Sequence, residues 1–358
     1  MKMYKNTLLA VVILTSAAAP AAEIYNKDGN KLDLYGSIRA RHYFSDDTTI
    51  DGDNTYFRLG IKGMTKINDE LTGFGQWEYN IQGNRAESDG SDGTKTRYAY
   101  AGLKYADLGS IDYGRNSGVL YDVASITDYA PIFDIMTDSY TDGFLTGRAN
   151  GLLTWRNTNF FGLNDNLKFA LQYQGKNGSG SNNSSRSVYG SNGDGAGASV
   201  SYDFDWGGSL LAAYGNSRRT AEQEALAYGG GKHAEMWATG FKYDSGSLYA
   251  AVKYSQGYNI PPIKNYGYAN KSENFEVYTR YVFDNGIIPG IGWFQSRGKD
   301  IENSGDIYLM KYLDINLSWF LNKNFFTYVD YKINQLDKNT PFSISTDDTF
   351  GVGMTWQF

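Results

Sequence analysis

Hydrophobic and polar residues alternate with a period of two along most of the chain. The C-terminal stretch is the clearest. Phe350, Val352, Met354, Trp356 and Phe358 share one parity; Gly351, Gly353, Thr355 and Gln357 share the other. Successive side chains of a β-strand point to opposite faces, so one face here is apolar and the other small or polar. Leu309, Leu313, Ile315, Leu317 and Trp319 likewise oppose Tyr312, Asp314, Asn316 and Ser318, with Lys311 an exception at the outer end. Phe325, Val329, Tyr331 and Ile333 oppose Tyr328, Asp330, Lys332 and Asn334. Phe57, Leu59 and Ile61 oppose Arg58, Gly60 and Lys62, and Trp77, Tyr79 and Ile81 oppose Gln76, Glu78, Asn80 and Gln82. Extended along the chain, this pattern predicts sixteen strands, near 31–44, 55–67, 71–82, 96–104, 109–115, 148–157, 167–175, 197–205, 208–215, 234–244, 247–256, 272–283, 287–297, 309–321, 325–335 and 349–358.

A soluble sandwich and a membrane barrel both produce such alternation. The sandwich hides its apolar faces between two sheets. The barrel turns them to lipid and keeps polar groups in its lumen. Three features favour the barrel. Aromatic residues bracket the apolar faces, and full charges sit in mid-strand on the polar faces. Short connections at 163–166, 284–286 and 321–324 alternate with long ones at 175–195, 216–232, 257–271 and 337–348. Short turns at one end and long loops at the other are the habit of outer-membrane barrels. The expected fold is therefore all-β, a sixteen-stranded antiparallel transmembrane barrel, wide enough for an aqueous channel.

Composition agrees. Tyr (30) and Phe (19) are abundant, Gly (42) serves turns and Pro (6) is scarce. Zero Cys excludes disulfides and Cys-ligated metal. The net charge of −6 gives no nucleic-acid footprint. Residues 1–21 read as a signal peptide: Lys2 and Lys5, an apolar Leu8–Leu14, and a small-x-small Ala19-Pro20-Ala21. The apolar run is too short to span a bilayer as a helix. Residues 22–358 then form one barrel domain, exported to the outer membrane.

Catalytic chemistry finds little support, and no cofactor is expected. The two histidines, His42 and His233, lie far apart in sequence, His42 on the apolar parity and His233 beside a Gly-rich stretch. They offer no metal-ligand spacing. Gly229-Gly-Gly-Lys232 lacks phosphate-loop spacing. Asn183-Ser-Ser185 matches a glycosylation acceptor only formally.

One connection stands apart. Residues 116–147 hold five Asp and no Lys or Arg, with little alternation. Hanging outside, this would be an acidic loop. Folded inward, it would face Arg58, Arg97 and Arg148, which are assigned to the polar faces of early strands. Charged rings of this kind select ions in pores. Period and charge alone leave both arrangements open.

Several motifs resemble those of the general diffusion porins of enteric bacteria. They include Ala22-Glu-Ile-Tyr-Asn-Lys-Asp-Gly-Asn-Lys31, Leu71-Thr-Gly-Phe-Gly-Gln-Trp-Glu-Tyr79, Lys95-Thr-Arg97, Asp112-Tyr-Gly-Arg115, Arg156-Asn-Thr-Asn-Phe-Phe-Gly162, Tyr328-Val-Asp-Tyr331 and the terminal Trp356-Gln-Phe358. The likeness runs from Ala22 to Phe358. It implies a homotrimer of barrels in outer-membrane lipid and lipopolysaccharide, with the third external loop folded into each pore. It also implies delivery to the barrel-assembly machinery through the Phe358 strand, and passage of small hydrophilic solutes. Carried over residue by residue, the basic wall falls on Arg58, Arg97 and Arg148 and the first loop acid on Asp128. The second-loop latch acid falls on Glu87, with Arg115 as its implied partner in a neighbouring subunit.

Departures from the family pattern bear on function. The motif Pro-Glu-Phe-Gly-Gly reads Pro131-Ile132-Phe133-Asp134-Ile135, so Ile132 occupies the place of the second constriction acid. Asp134 is a candidate substitute. The usual first-strand lysine is Ser37, while Arg39 and Arg41 share its lumen parity. Glu78 is a lumen acid able to neutralise arginines. This local exchange predicts weakened cation selectivity, reaching a mild anion preference. Two alternatives use the same residues. A solute-specific channel would exploit lumen tyrosines such as Tyr35, Tyr43 and Tyr56. A closed barrel would serve as an adhesin or phage receptor, an outer-membrane hydrolase would depend on His42 or His233, and the external loops are candidate receptors for phage or colicin.

Overall fold

Side chains of alternating character force the chain to choose which face to hide, and this chain hides the polar one. The computed structural model describes residues 21–134, 136–178 and 186–358. Residues 1–20 of the expected signal peptide, Ile135 and the Asn183-Ser-Ser185 triplet lie outside the described residues. Sixteen antiparallel strands form the wall: β1 Asn30–Phe44, β2 Tyr56–Lys66, β3 Leu71–Gln82, β4 Lys95–Tyr105, β5 Gly109–Ser117, β6 Arg148–Asn157, β7 Leu167–Gln174 and β8 Gly195–Asp203 complete one half. The other half is β9 Gly208–Arg218, β10 His233–Asp244, β11 Leu248–Tyr258, β12 Lys271–Tyr281, β13 Ile287–Ile301, β14 Gly305–Asn322, β15 Phe325–Asn334 and β16 Thr349–Gln357. Each pairs with its sequence neighbours, and β16 returns to β1 from Ser37↔Gln357 to Phe44↔Phe350. The barrel is closed.

Closure uses a segment that the alternation did not identify. β16 covers only the distal part of β1. The short strand Ala22–Lys27 pairs with the remainder, Asn30 to Leu34. The two pieces meet at Gly36, whose amide and carbonyl bond Phe358 at 3.0 Å each. Without Ala22–Lys27 the proximal edge of β1 would present unpaired backbone groups, which is costly at a bilayer.

The outer face carries the large apolar side chains. Trp319 is 50% exposed, Met354 50% and Trp356 46%. The inner face buries Asp314, Glu276 and Asp330 completely. This inverts the soluble pattern and fits a barrel in lipid. No described helix is long and apolar enough to cross a membrane; the crossing elements are strands. β13 and β14 run beyond their expected ends at 297 and 309. Their extension bears charge, with Arg297 paired to Asp306 at 3.2 Å, so the strands continue where the apolar signal stops.

An apolar core lies inside the barrel rather than between sheets. The loop 118–147 folds inward, pinched at its neck by Gly118 N donating to Gly147 O (2.9 Å) and Asp142 N to Arg148 O (2.7 Å). Leu120, Val123, Ile126, Phe144 and Leu145 bury against Leu211, Ala213, Ala238, Tyr249 and Ala251 of the wall. Burial contributes roughly 1.5–3 kcal/mol for each large side chain. Small wall residues make the seat. A Cβ added at Gly240 would lie 2.4 Å from Ile126 Cδ1, and one at Gly351 would lie 2.4 Å from Ile132 Cδ1.

The charged waist of the channel

Where the loop crosses the lumen it leaves a cavity of about 850 Å³. Seven basic residues line it: Arg39, Arg58, Lys62, Arg97, Arg148, Lys242 and Arg280. Four acids do so: Glu78, Asp122, Asp128 and Asp134. The excess of basic groups is the central electrostatic fact of the site.

The basic wall rises from the first strands. Arg39 of β1 and Arg58 of β2 point inward by strand parity. Between them stands Tyr56, 5% exposed. The guanidinium carbons of Arg39, Arg41 and Arg58 lie 5.8, 4.7 and 4.8 Å from its ring centroid. One aromatic ring thus offsets three like charges, each such contact being worth about 0.5–2 kcal/mol. Arg58 Nε also donates to Asn80 Oδ1 at 3.2 Å. Among the described residues, Arg39, Arg58 and Arg148 have no carboxylate at ion-pair distance. Arg39 Nε and Arg148 Nε are buried without a hydrogen-bond acceptor. Arg148 Nη2 lies 3.4 Å from Thr141 Oγ1.

Arg97 reaches the lumen for a reason different from parity. It alternates with exposed Ala99, Ala101 and Leu103, which places it on the outward register. A bulge corrects this: Glu78 pairs with Tyr98 and Tyr79 with Thr96, so Arg97 is the extra residue. A bulge re-aims a side chain in this way. Arg97 Nε then donates to Glu78 Oε1 at 2.5 Å. Glu78 Oε2 also accepts from Tyr35 OH at 3.1 Å, so this lumen acid is committed to local partners.

Two expected members of the waist lie elsewhere. Arg41 faces inward but does not line the cavity. Its Nη2 and Nε donate to Asn54 Oδ1 at 2.8 and 3.2 Å, and Nε to the Asn54 carbonyl at 3.1 Å. The Asn54 connection diverts it. Ile132 does not line the cavity either. It is 4% exposed and packs with Tyr43, Phe133 and Tyr328. Its apolar side chain goes to the wall.

The acidic side comes from the loop. Asp128 accepts from Tyr121 OH at 2.9 Å. Burial and then the neighbouring Asp134 push its carboxyl up to about 7, against the opposing pull of Arg39 and Arg58. Asp134 faces the same cavity. The arch between them is pinned from across the barrel, as Asp330 Oδ2 accepts the amides of Ile132 (2.9 Å) and Phe133 (3.1 Å). Asp122 is neutralised by Arg156 at 2.7 and 2.9 Å.

Sequence reasoning missed Tyr56 as the arginine platform and Asp330 as the pin. It also missed Lys242 and Arg280, whose guanidinium carbon lies 4.1 Å from the Tyr129 ring centroid. Parity places all four in the lumen, as the sequence pattern already does for Tyr56 and Asp330, but only the closed barrel brings them to the loop.

Glu87 and Arg115 are not brought together within the chain. Glu87 begins an exposed turn, Glu87–Asp89. Arg115 sits in a separate concavity of about 470 Å³ with Tyr113, Asn150 and Lys176. Its Nη1 bonds Asp142 Oδ1 at 2.7 Å and also Asn150 Oδ1. The histidines have local partners: His42 rests 4.7 Å from the Phe44 ring, and His233 Nδ1 lies 2.9 Å from Asn216 Oδ1.

A closed transmembrane barrel narrowed by an inward loop, with opposed charges at its waist, defines a diffusion channel. Comparison with known proteins places it more closely. The family model described as Gram-negative porin matches residues 27–358. The outer membrane porin PhoE of Escherichia coli (strain K12) is 53% identical, over 99% of this chain and 100% of the relative. Outer membrane porin C of Enterobacter cloacae subsp. cloacae is 51% identical over the full length of both. A solved structure of Salmonella typhi OmpF in complex with daunomycin superimposes with a TM-score of 0.86 at 44% identity, covering 94% of this chain and 100% of that one. The chain belongs to the Gram-negative porin family. It is an outer-membrane porin that forms a diffusion pore, and members of its family are channels rather than enzymes.

Proposed function

We propose that this porin passes small hydrophilic solutes and ions without chemistry, and that its waist weakens cation preference to the point of favouring anions. The observation that carries this is the seven-to-four excess of basic over acidic residues around the cavity. Among the described residues three of the arginines lack a carboxylate partner, and Asp128 bears only part of its charge near neutrality. Ile132 brings no replacement acid, and Asp134 supplies the second loop charge. A fixed positive excess in a narrow, water-filled lumen enriches counter-ions of opposite sign. Reversal potential across a planar bilayer in a salt gradient tests it: a value near zero or towards the anion potential supports the reading, and a strongly cation-selective value refutes it.

The functional unit on this reading is a homotrimer. Glu87 on its exposed turn is the latch, and the concavity holding Arg115 in a neighbouring subunit receives it. Arg115 supports this assignment by lying outside the pore cavity. Residues 1–21 are the export signal on the same reading, and N-terminal sequencing of the mature protein beginning near Ala22 would test that.

A further inference from the structure

The loop 118–147 is tied to the wall by a second set of charges that the channel mechanism does not use. Glu276 of β12 is fully buried. Its Oε2 accepts from the Thr127 hydroxyl. Its Oε1 accepts from the Thr137 amide at 2.5 Å and the Thr137 hydroxyl at 2.7 Å. One carboxylate thus binds both feet of an arch. Thr127 immediately precedes Asp128, and Asp134 lies three residues before Thr137.

Two neighbours complete the group. Lys253 of β11 contacts Glu276 Oε1 at 3.0 Å and also pairs with Asp138. Ser255 Oγ donates to Asp138 Oδ2 at 2.6 Å. Lys253 and Asp138 are 2% and 3% exposed. Burying three ionised groups costs desolvation that their attraction barely offsets, so stability alone is a poor account of them. What such a group does supply is a single geometry. The arch is held at its feet by Glu276 and at its crown by Asp330, which fixes both pore-facing carboxylates relative to the arginine wall.

We propose that Glu276, held by Lys253 and Asp138, is a positioning residue for ion selectivity: it clasps Thr127 and Thr137 and thereby sets where Asp128 and Asp134 stand. The inference goes beyond the sign of the ion preference and requires only that the loop acids act on permeating ions. Two variants of the full chain test it in planar bilayers. Thr127→Val with Thr137→Val removes both hydroxyl donors while Glu276 keeps Lys253 and the residue-137 amide, so no buried charge is orphaned. Glu276→Ala removes the acceptors of both feet while Lys253 keeps Asp138, and it decides the matter where the double variant does not assemble.

The expected result is an anion-to-cation permeability ratio shifted about twofold or more, since Coulomb energy at the waist changes steeply with separation. Open-channel current noise rises with it. Asp128→Asn, which shifts the ratio in the parent protein, has a smaller effect in either background. A group that merely holds the barrel together would alter thermal stability and leave the ratio and its Asp128 dependence untouched. Parent-like permeability, noise and Asp128 dependence in the assembled variants would overturn the proposal. A parent protein in which Asp128→Asn itself changes nothing would overturn it as well.

Discussion

Asp330 receives the amide of Ile132 at 2.9 Å, and this bond, with that of Phe133, aims the Ile132 side chain at the barrel wall. The position where the family pattern has a constriction acid is thus a packing position here. Its isobutyl-sized side chain fills the space above Gly351, beside Tyr43 and Tyr328. Selectivity and loop anchoring are separated: Asp134 faces the ions, and Ile132 faces the protein.

That separation gives the first prediction. Ile132→Ala removes buried contacts at the crown of the arch, with a cost of about 2–5 kcal/mol typical of such truncations. The thermal transition of the purified barrel falls. The mean reversal potential stays near the parent value, because the bonds from Asp330 to the arch backbone do not depend on the Ile132 side chain.

Asp134→Asn removes one of two loop charges. The anion-to-cation permeability ratio rises, by up to about fivefold for an interaction of about 1 kcal/mol in water at contact distance. Salt-gradient reversal potentials measure it.

The pH dependence follows from Asp128, whose carboxyl is pushed up to about 7. Raising pH through that value ionises it and moves the reversal potential towards cations. Lowering pH neutralises it and moves the potential towards anions. Asp128→Asn flattens this titration. The folded chain also retains, between about 4 and 7, a proton that the unfolded chain has released, so this group's contribution to stability falls as pH rises through that window.

Tyr56 lies between three guanidinium groups. Tyr56→Phe keeps the ring face and conducts like the parent. Tyr56→Leu removes it, at a cost of about 1–3 kcal/mol from the cation–π contacts. Anion permeability drops as Arg39 and Arg58 spread apart. Denaturant unfolding and single-channel recording together check this pair.

The legible part of this molecule was its wall. All sixteen strands follow from period-two alternation, because lipid on one side and water on the other impose it residue by residue. Arg39, Arg58 and Glu78 reach the lumen by that rule. Arg97 reaches it through a bulge, which alternation cannot register. Arg41 obeys parity but is drawn away by Asn54, a partner supplied by an irregular connection. Ala22–Lys27 closes the seam although its residues show no alternation that predicts a strand before residue 31. Ile132, Asp330 and Glu276 acquire their roles from contacts spanning up to 198 residues of sequence, which no local pattern encodes.

The excess of basic charge at the waist is most directly tested by the zero-current potential of the purified protein in a planar bilayer, at neutral pH, with a salt gradient of equally mobile ions. The expected potential is near zero or displaced towards the anion equilibrium value. A potential close to the cation limit would contradict it and would mean that Asp128 and Asp134 outweigh Arg39, Arg58 and Arg148.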